Sequence, residues 1–389
     1  MTNLRVLISG AGIGGPALAF WLAQRGFEVT VVERAGELRE AGYKVDVRGA
    51  ATEVLRRMGL LAAAQGADTG MQLITYVNKG GKPIAQLPAD LLMGRRGDDL
   101  EIMRGDLSRI LHDATREQVE YVFGDSVATL TDDGEGVDVT FEKGAPRRFD
   151  YVVGADGLHS LTRRTVLGDT PLSYLGAYIS IFSVPNDLGV VREEVMYSRP
   201  GRLVFAYAME PGRPAKVGMV FASPELTYDR RDPAAQKQLV RAAFEGQGWR
   251  SDEFLAAMDA ADDFYFDSMS QVELPSWSSG RVVLLGDAAH CPSPASGQGT
   301  SLALVGAFVL AQHLGEPGGL AAYESAMRTY VEKNLAFGRK MVKDMVPGGR
   351  LNIAFRNYGM RTLKFHPQKE KVIDKVLAPM HEAANAITI

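Results

Sequence analysis

The stretch Leu4-Arg5-Val6-Leu7-Ile8-Ser9-Gly10-Ala11-Gly12-Ile13-Gly14-Gly15 opens the chain with a short apolar run that breaks into glycines. Leu4 to Ser9 is brief and rich in branched residues, the pattern of a buried strand. Gly10, Gly12 and Gly15 stand at the first, third and sixth positions of GxGxxG, with Ile13 and Gly14 between them. Gly14 to Arg25 reads as a helix and Phe27 to Val32 as a second strand, which makes a βαβ unit with a parallel sheet. In that setting Gly10 permits the tight turn, Gly12 lets a pyrophosphate approach the backbone, and Gly15 lets the helix pack closely. The helix N-terminus attracts the phosphates. Glu33 ends the second strand, where a carboxylate accepts hydrogen bonds from an adenosine ribose and repels a 2′-phosphate. A dinucleotide held there is FAD or NAD.

A second segment separates the two. Val282 to Leu285 is again a buried-strand pattern, and Gly286-Asp287-Ala288-Ala289-His290 follows, placing Asp287 at a strand's C-terminal end. An acid there suits ribityl hydroxyls, which NAD lacks. Pro294-Ala295-Ser296-Gly297-Gln298-Gly299 then leads into a helix from Thr300 to Leu314. Its free N–H groups and positive dipole end stabilise the charge of a reduced isoalloxazine. Gly10 to Glu33 thus hold the ADP half of FAD, and Asp287 to Gly299 the flavin.

Between these segments the chain changes character. From Tyr174 to Ala222 the apolar period becomes two, with Leu203, Phe205 and Tyr207 followed by Val217, Met219 and Phe221. The fold expected is α/β: a Rossmann-type FAD-binding domain, discontinuous over 1–71, 97–170 and 268–345, with an inserted β-sheet substrate domain over 72–96 and 171–267. Helical segments over 346–389 close the chain, after a stop signal at Pro347-Gly348-Gly349.

These motifs together resemble the single-component flavin-dependent aromatic hydroxylases of the para-hydroxybenzoate hydroxylase type. Gly10 to Gly15 with Glu33-Arg34, Gly154-Ala155-Asp156-Gly157, and Gly286-Asp287 with Pro294 and Gly297-Gln298-Gly299 carry the resemblance over nearly the whole chain. Gly42-Tyr43-Lys44-Val45-Asp46-Val47 and Met103-Arg104-Gly105-Asp106-Leu107 are most similar to tetracycline-inactivating and polyketide monooxygenases. The resemblance implies that Asp46, Arg104 and Asp287 contact FAD, and that Asp156 belongs to a segment serving FAD and the approach of NADPH or NADH. It implies further that O2 forms a flavin C4a-hydroperoxide, which passes one oxygen to an aromatic or polyketide substrate. No protein side chain is assigned a catalytic role, because the flavin carries the chemistry. Many relatives have an acid where Gly306 stands here, so an acid contribution at that point is in doubt.

Phe205, Tyr207, Met219 and Phe221 are the residues expected to line a substrate pocket, with core packing the competing reading of each. His290 has two readings as well, a packing residue or a functional one. No metal is expected, since HExxH, paired histidines and cysteine clusters are all missing from the sequence. A flavin-dependent halogenase is disfavoured because WxWxIP is not found around Trp21, Trp249 or Trp277. A flavoprotein that sequesters a drug or pigment remains the alternative. With 43 Lys and Arg against 47 Asp and Glu, no general attraction to nucleic acid or anionic membranes is expected, nor any stable membrane anchor. The lone cysteine, Cys291, and an opening run unlike a signal peptide lead to a cytoplasmic expectation.

Overall fold

The computed structural model describes residues 4–38, 42–363 and 365–389, and two large sheets organise it. The first runs in the order Ser278–Ser279, Val282–Leu284, Tyr151–Gly154, Arg5–Ser9, Glu28–Glu33, Glu120–Phe123. Every pairing is parallel except that of the short Ser278–Ser279 edge. Both faces are covered, which is why these strands are apolar without alternation. Val6, Ile8 and Val153 face the helices, while Leu7, Val32 and Val152 face a small antiparallel sheet of Val127–Asp132, Val137–Phe141 and Arg147–Phe149. The helix Gly299–His313 is apolar all round, as befits a helix enclosed by Gly14–Gln24, Ala50–Arg57 and Gly319–Met345.

The second sheet has seven strands, ordered Tyr265–Gln271, Ser173–Val184, Ala215–Ala222, Arg202–Ala208, Glu193–Arg199, Leu73–Val77, Pro83–Pro88. The strand Tyr265–Gln271 crosses the expected boundary at 267/268, since pairing continues to Ser173 against Gln271. Hydrogen bonding, which the side-chain pattern does not report, sets that end. The outer face carries the helices Pro233–Phe244 and Ser251–Met258, packed on Phe182, Val204, Met219 and Phe221. Asp232 caps the first of them by accepting from Ala235 N at 3.0 Å, with Pro233 at its first position. The inner face, with Ile179, Leu203, Phe205 and Val220, meets Ala295, Val342 and Val346 of the first domain.

This register corrects half of the substrate-lining expectation. Phe205 pairs with Gly218, and Met219 pairs with Val204. Paired residues share a face, so Phe205 and Tyr207 point inward, whereas Met219 and Phe221 belong to the outer core. Alternation fixes sides within a strand, but only register relates one strand to the next. Gly218 is required beneath Phe205: a Cβ there would stand 2.0 Å from the ring.

A buried charge cluster joins the domains. Lys44, in the ribbon of Lys44–Val47 and Leu100–Met103, places Nζ 3.1 Å from Glu101 and 2.5 Å from Glu194 of the second sheet. Its ammonium also lies 4.9 Å from the centroid of the Tyr207 ring, and its backbone N–H donates to Tyr207 Oη at 3.1 Å. Arg95 supplies a second cation to Glu101 at 3.0 Å.

Candidate cofactor and substrate site

The glycine turn is shaped by close approaches. Gly10 has φ +112°, and a Cβ on it would lie 2.5 Å from Ala155 O, so glycine allows the Gly154 to Gly157 segment to rest on the turn. A Cβ on Gly15 would fall 2.0 Å from Gly10 O. Ile13, buried, precedes the helix that Gly14 begins. Glu33 closes the turn from the second strand, accepting from Ala11 N and Ala35 N, each at 2.9 Å. Arg34 beyond it is exposed.

Arg104 starts the helix Arg104–Asp113, with its backbone N–H donating to Tyr43 O at 3.0 Å. Its guanidinium stands over the turn, Nη2 lying 3.5 Å from where a Gly12 Cβ would be. It makes no hydrogen bond or ion pair with another described residue. Its charge also reaches Asp287, whose carboxyl burial pushes above its ordinary value while the Cys291 thiol and Arg104 pull it back. Arg104 therefore stands between the two motifs that lie far apart in sequence.

The flavin-side loop is equally crowded. A Cβ on Gly299 would be 3.4 Å from Asp287 Oδ1, and one on Gly297, at φ +64°, would be 3.2 Å from Asp46 Oδ2. Pro294–Ser296 forms a single 3-10 turn ahead of them, and Gly286, at φ +63°, precedes Asp287. Asp46 is ion-paired with Arg48 at 2.9 Å; burial raises its pKa and Arg48 lowers it. Gln298 is fully buried, yet neither polar atom of its side-chain amide has a partner. The helix Gly299–His313 has no side-chain cap, which leaves first-turn N–H groups for an acceptor. An unpaired guanidinium over a glycine turn, an orphaned amide and an uncapped helix are what a diphosphate and an isoalloxazine satisfy, so the residues fit FAD.

Three other expectations sharpen. The Asp156 carboxylate is filled by Ser160 Oγ at 2.5 Å, Leu161 N at 2.8 Å, and Thr162 N and Oγ1 at 3.0 and 3.1 Å. It caps the helix Leu161–Leu167 and fixes Ala155 against Gly10. At Gly306 a Cβ would already be 3.0 Å from Leu285 Cδ1, so an acid there would displace core. His290 is buried 4.8 Å from the Trp277 ring, and burial lowers its pKa to about 4. It stays neutral near pH 7 against that ring, and neither of its ring nitrogens has a hydrogen-bond partner among the described residues.

Sequence reading missed a polar pair across the domain junction. His159 Nε2 lies 3.0 Å from both oxygens of Asp267, and Tyr265 Oη donates to Asp267 at 3.4 Å. The Tyr265 ring is 5.8 Å from that of Tyr43, and burial raises the pKa of both phenols, which stay protonated. The available signal was that Tyr265 and Asp267 sit two apart on one strand and share its face.

Asp287→Ala is expected to weaken FAD binding about ten- to hundredfold, the size of a lost hydrogen bond to a charged group. The thermal melt of the apoprotein should hardly change, because the cost of burying the carboxylate outweighs what the Cys291 thiol and Arg104 return to it. Undiminished flavin retention through gel filtration would remove Asp287 from the cofactor site.

The chain matches the model of the FAD binding domain family over residues 3–345 and belongs to that family. An uncharacterized protein of Mycobacterium tuberculosis is 41% identical over 353 residues, covering 88% of this chain and 94% of that one. A flavin-dependent monooxygenase of Legionella longbeachae is 36% identical over 343 residues, covering 86% and 88%. Among solved structures, the tetracycline destructase Tet(55) superposes with a TM-score of 0.86 at 35% identity, over 99% of this chain and 98% of that one. The protein is an FAD-dependent monooxygenase with the expected hydroxylase fold.

Proposed function

We propose that the protein uses NADPH or NADH and O2 to hydroxylate a planar aromatic or polyketide-type substrate, tetracycline-like polycycles included. The observation that carries this reading is the placement of Arg104 between the glycine turn and Asp287, beside a join lined by Tyr43, Phe205 and Tyr265. Bound FAD supplies the redox chemistry and the activation of oxygen. The chain's own residues bind and orient: Phe205 lies flat over Gly218, and Tyr43 and Tyr265 offer ring faces to an aromatic ligand. Asp267 and His159 hold a polar hydrogen-bonding edge where a substrate hydroxyl would be read. The relatives named as flavin-dependent monooxygenases and the likeness to a tetracycline destructase support the substrate class.

Anaerobic mixing of the holoenzyme with NADPH, followed by flavin absorbance, tests the proposal. Tetracycline is expected to speed reduction, and after admission of 18O2 the product should carry one labelled oxygen. Tight tetracycline binding with neither faster reduction nor a labelled product would indicate a sequestering flavoprotein instead.

A further inference from the structure

The helix Arg350–Leu363 has two apolar sides and the protein uses one of them. Ile353, Arg356 and Met360 turn inward; the helix packs near Pro83–Pro88, with the Arg356 guanidinium 5.3 Å from the Tyr76 ring centroid. On the other side Leu351, Phe355 and Tyr358 recur at helical spacing and are 85%, 80% and 68% exposed. The next helix, Lys369–Ala384, exposes Val372 and Val376 in the turns that carry Lys371 and Lys375. Large side chains exposed this far on two successive helices are not ordinary surface.

Charge identifies what covers them. From Arg350 to Val376 the sequence has seven Lys or Arg against two acids, Glu370 and Asp374, an excess of five. Asp374 is itself paired with Arg96 at 2.6 Å. The whole chain carries −4, so the remainder carries −9, and the segment that bears the exposed apolar residues is net positive by five. The overall balance hides this local contrast. A second copy of the chain, docked face to face on the same patch, would bring five excess positive charges against five. An anionic surface with an apolar interior satisfies both features at once. No described helix is long and apolar enough to cross a membrane, so contact would lie in the plane of the surface.

We infer that Leu351, Phe355 and Tyr358, flanked by the basic residues of the two C-terminal helices, dock the protein on an anionic lipid bilayer. Docking there sets the substrate sheet, through Pro83–Pro88, beside the lipid phase in which apolar polycyclic compounds dissolve.

Co-sedimentation of the FAD-loaded full chain with vesicles tests this. Binding is expected to vesicles containing phosphatidylglycerol and not to pure phosphatidylcholine, and to weaken as salt rises. The triple variant Leu351→Gln, Phe355→Gln, Tyr358→Gln should retain its flavin spectrum and melt while its partition falls at least about tenfold, as expected for withdrawing side chains of this size from an apolar phase. Absence of binding to phosphatidylglycerol, or equal binding by the triple variant, would overturn the inference. So would a concentration-dependent dimer lost in the triple variant without vesicle binding, which would assign the face to a second copy.

Discussion

Gly15→Ala is expected to give a chain that loses FAD affinity on the order of a hundredfold, the effect of a clash of about 3 kcal/mol at the binding turn. The new Cβ would stand 2.0 Å from Gly10 O, inside any tolerable contact, so the turn or the helix behind it must move. Either shift takes the N–H groups of the turn away from the diphosphate, and Arg104 cannot compensate from the opposite side. Gly36→Ala is the control: a Cβ there meets nothing within 4 Å, and its flavin affinity should equal the parent's. Equilibrium dialysis of the two apoproteins against FAD distinguishes them. Equal affinity would mean that the turn is looser than its geometry states.

Lys44→Met should destabilise the protein by about 3–5 kcal/mol, the usual effect of removing one partner from a buried ion pair. The side chains of Lys44, Glu101 and Glu194 are only 13%, 2% and 9% exposed, so water does not replace the lost cation. Arg95 continues to neutralise Glu101, which makes Glu194 the stranded charge. Lys44→Met combined with Glu194→Gln should therefore recover much of the loss, and urea midpoints of the four proteins in the cycle measure it. Additive losses would show that the pair is not coupled.

The parent's pH response follows from the same cluster. Despite the cost of burial, the two carboxylates hold Lys44 above its ordinary 10.5, so its contribution is complete below 10.5 and fades as pH rises through the folded value. Glu101 is held below its ordinary 4.5, its burial outweighed by Lys44 and Arg95 together, so its contribution is complete above 4.5 and is lost as pH falls through the folded value. Between those limits the domain junction should be at its firmest.

What was legible in the sequence is what short stretches of chain determine. Strand, glycine turn, helix and Glu33 lie within 33 residues, and local geometry leaves them one arrangement. Asp287 and the Pro294 to Gly299 loop were equally readable, because a strand end and a helix start are local events. Met219 and Phe221 went to the wrong side because nothing in a strand's own pattern states its register against the next. Lys44 was hidden for a different reason: a lysine beside valines reads as a surface residue until Glu194, 150 positions away, is brought to it. Asp267 and His159 meet only because two sheets meet.

The chain enters the seven-stranded sheet at Leu73, leaves after Pro88, returns at Ser173 and leaves for good after Gln271. The first-sheet strands Glu120–Phe123 and Tyr151–Gly154 are synthesised between the two parts of the second sheet, and Val282–Leu284 after both. Dividing the gene between Pro88 and Ser173 thus leaves neither half with a finished large sheet, and such halves are expected to accumulate as aggregates. A recombination event could transplant this substrate platform only by cutting in four places at once. Loops and surface side chains are consequently the cheaper material from which a lineage of such enzymes can vary what it oxidises.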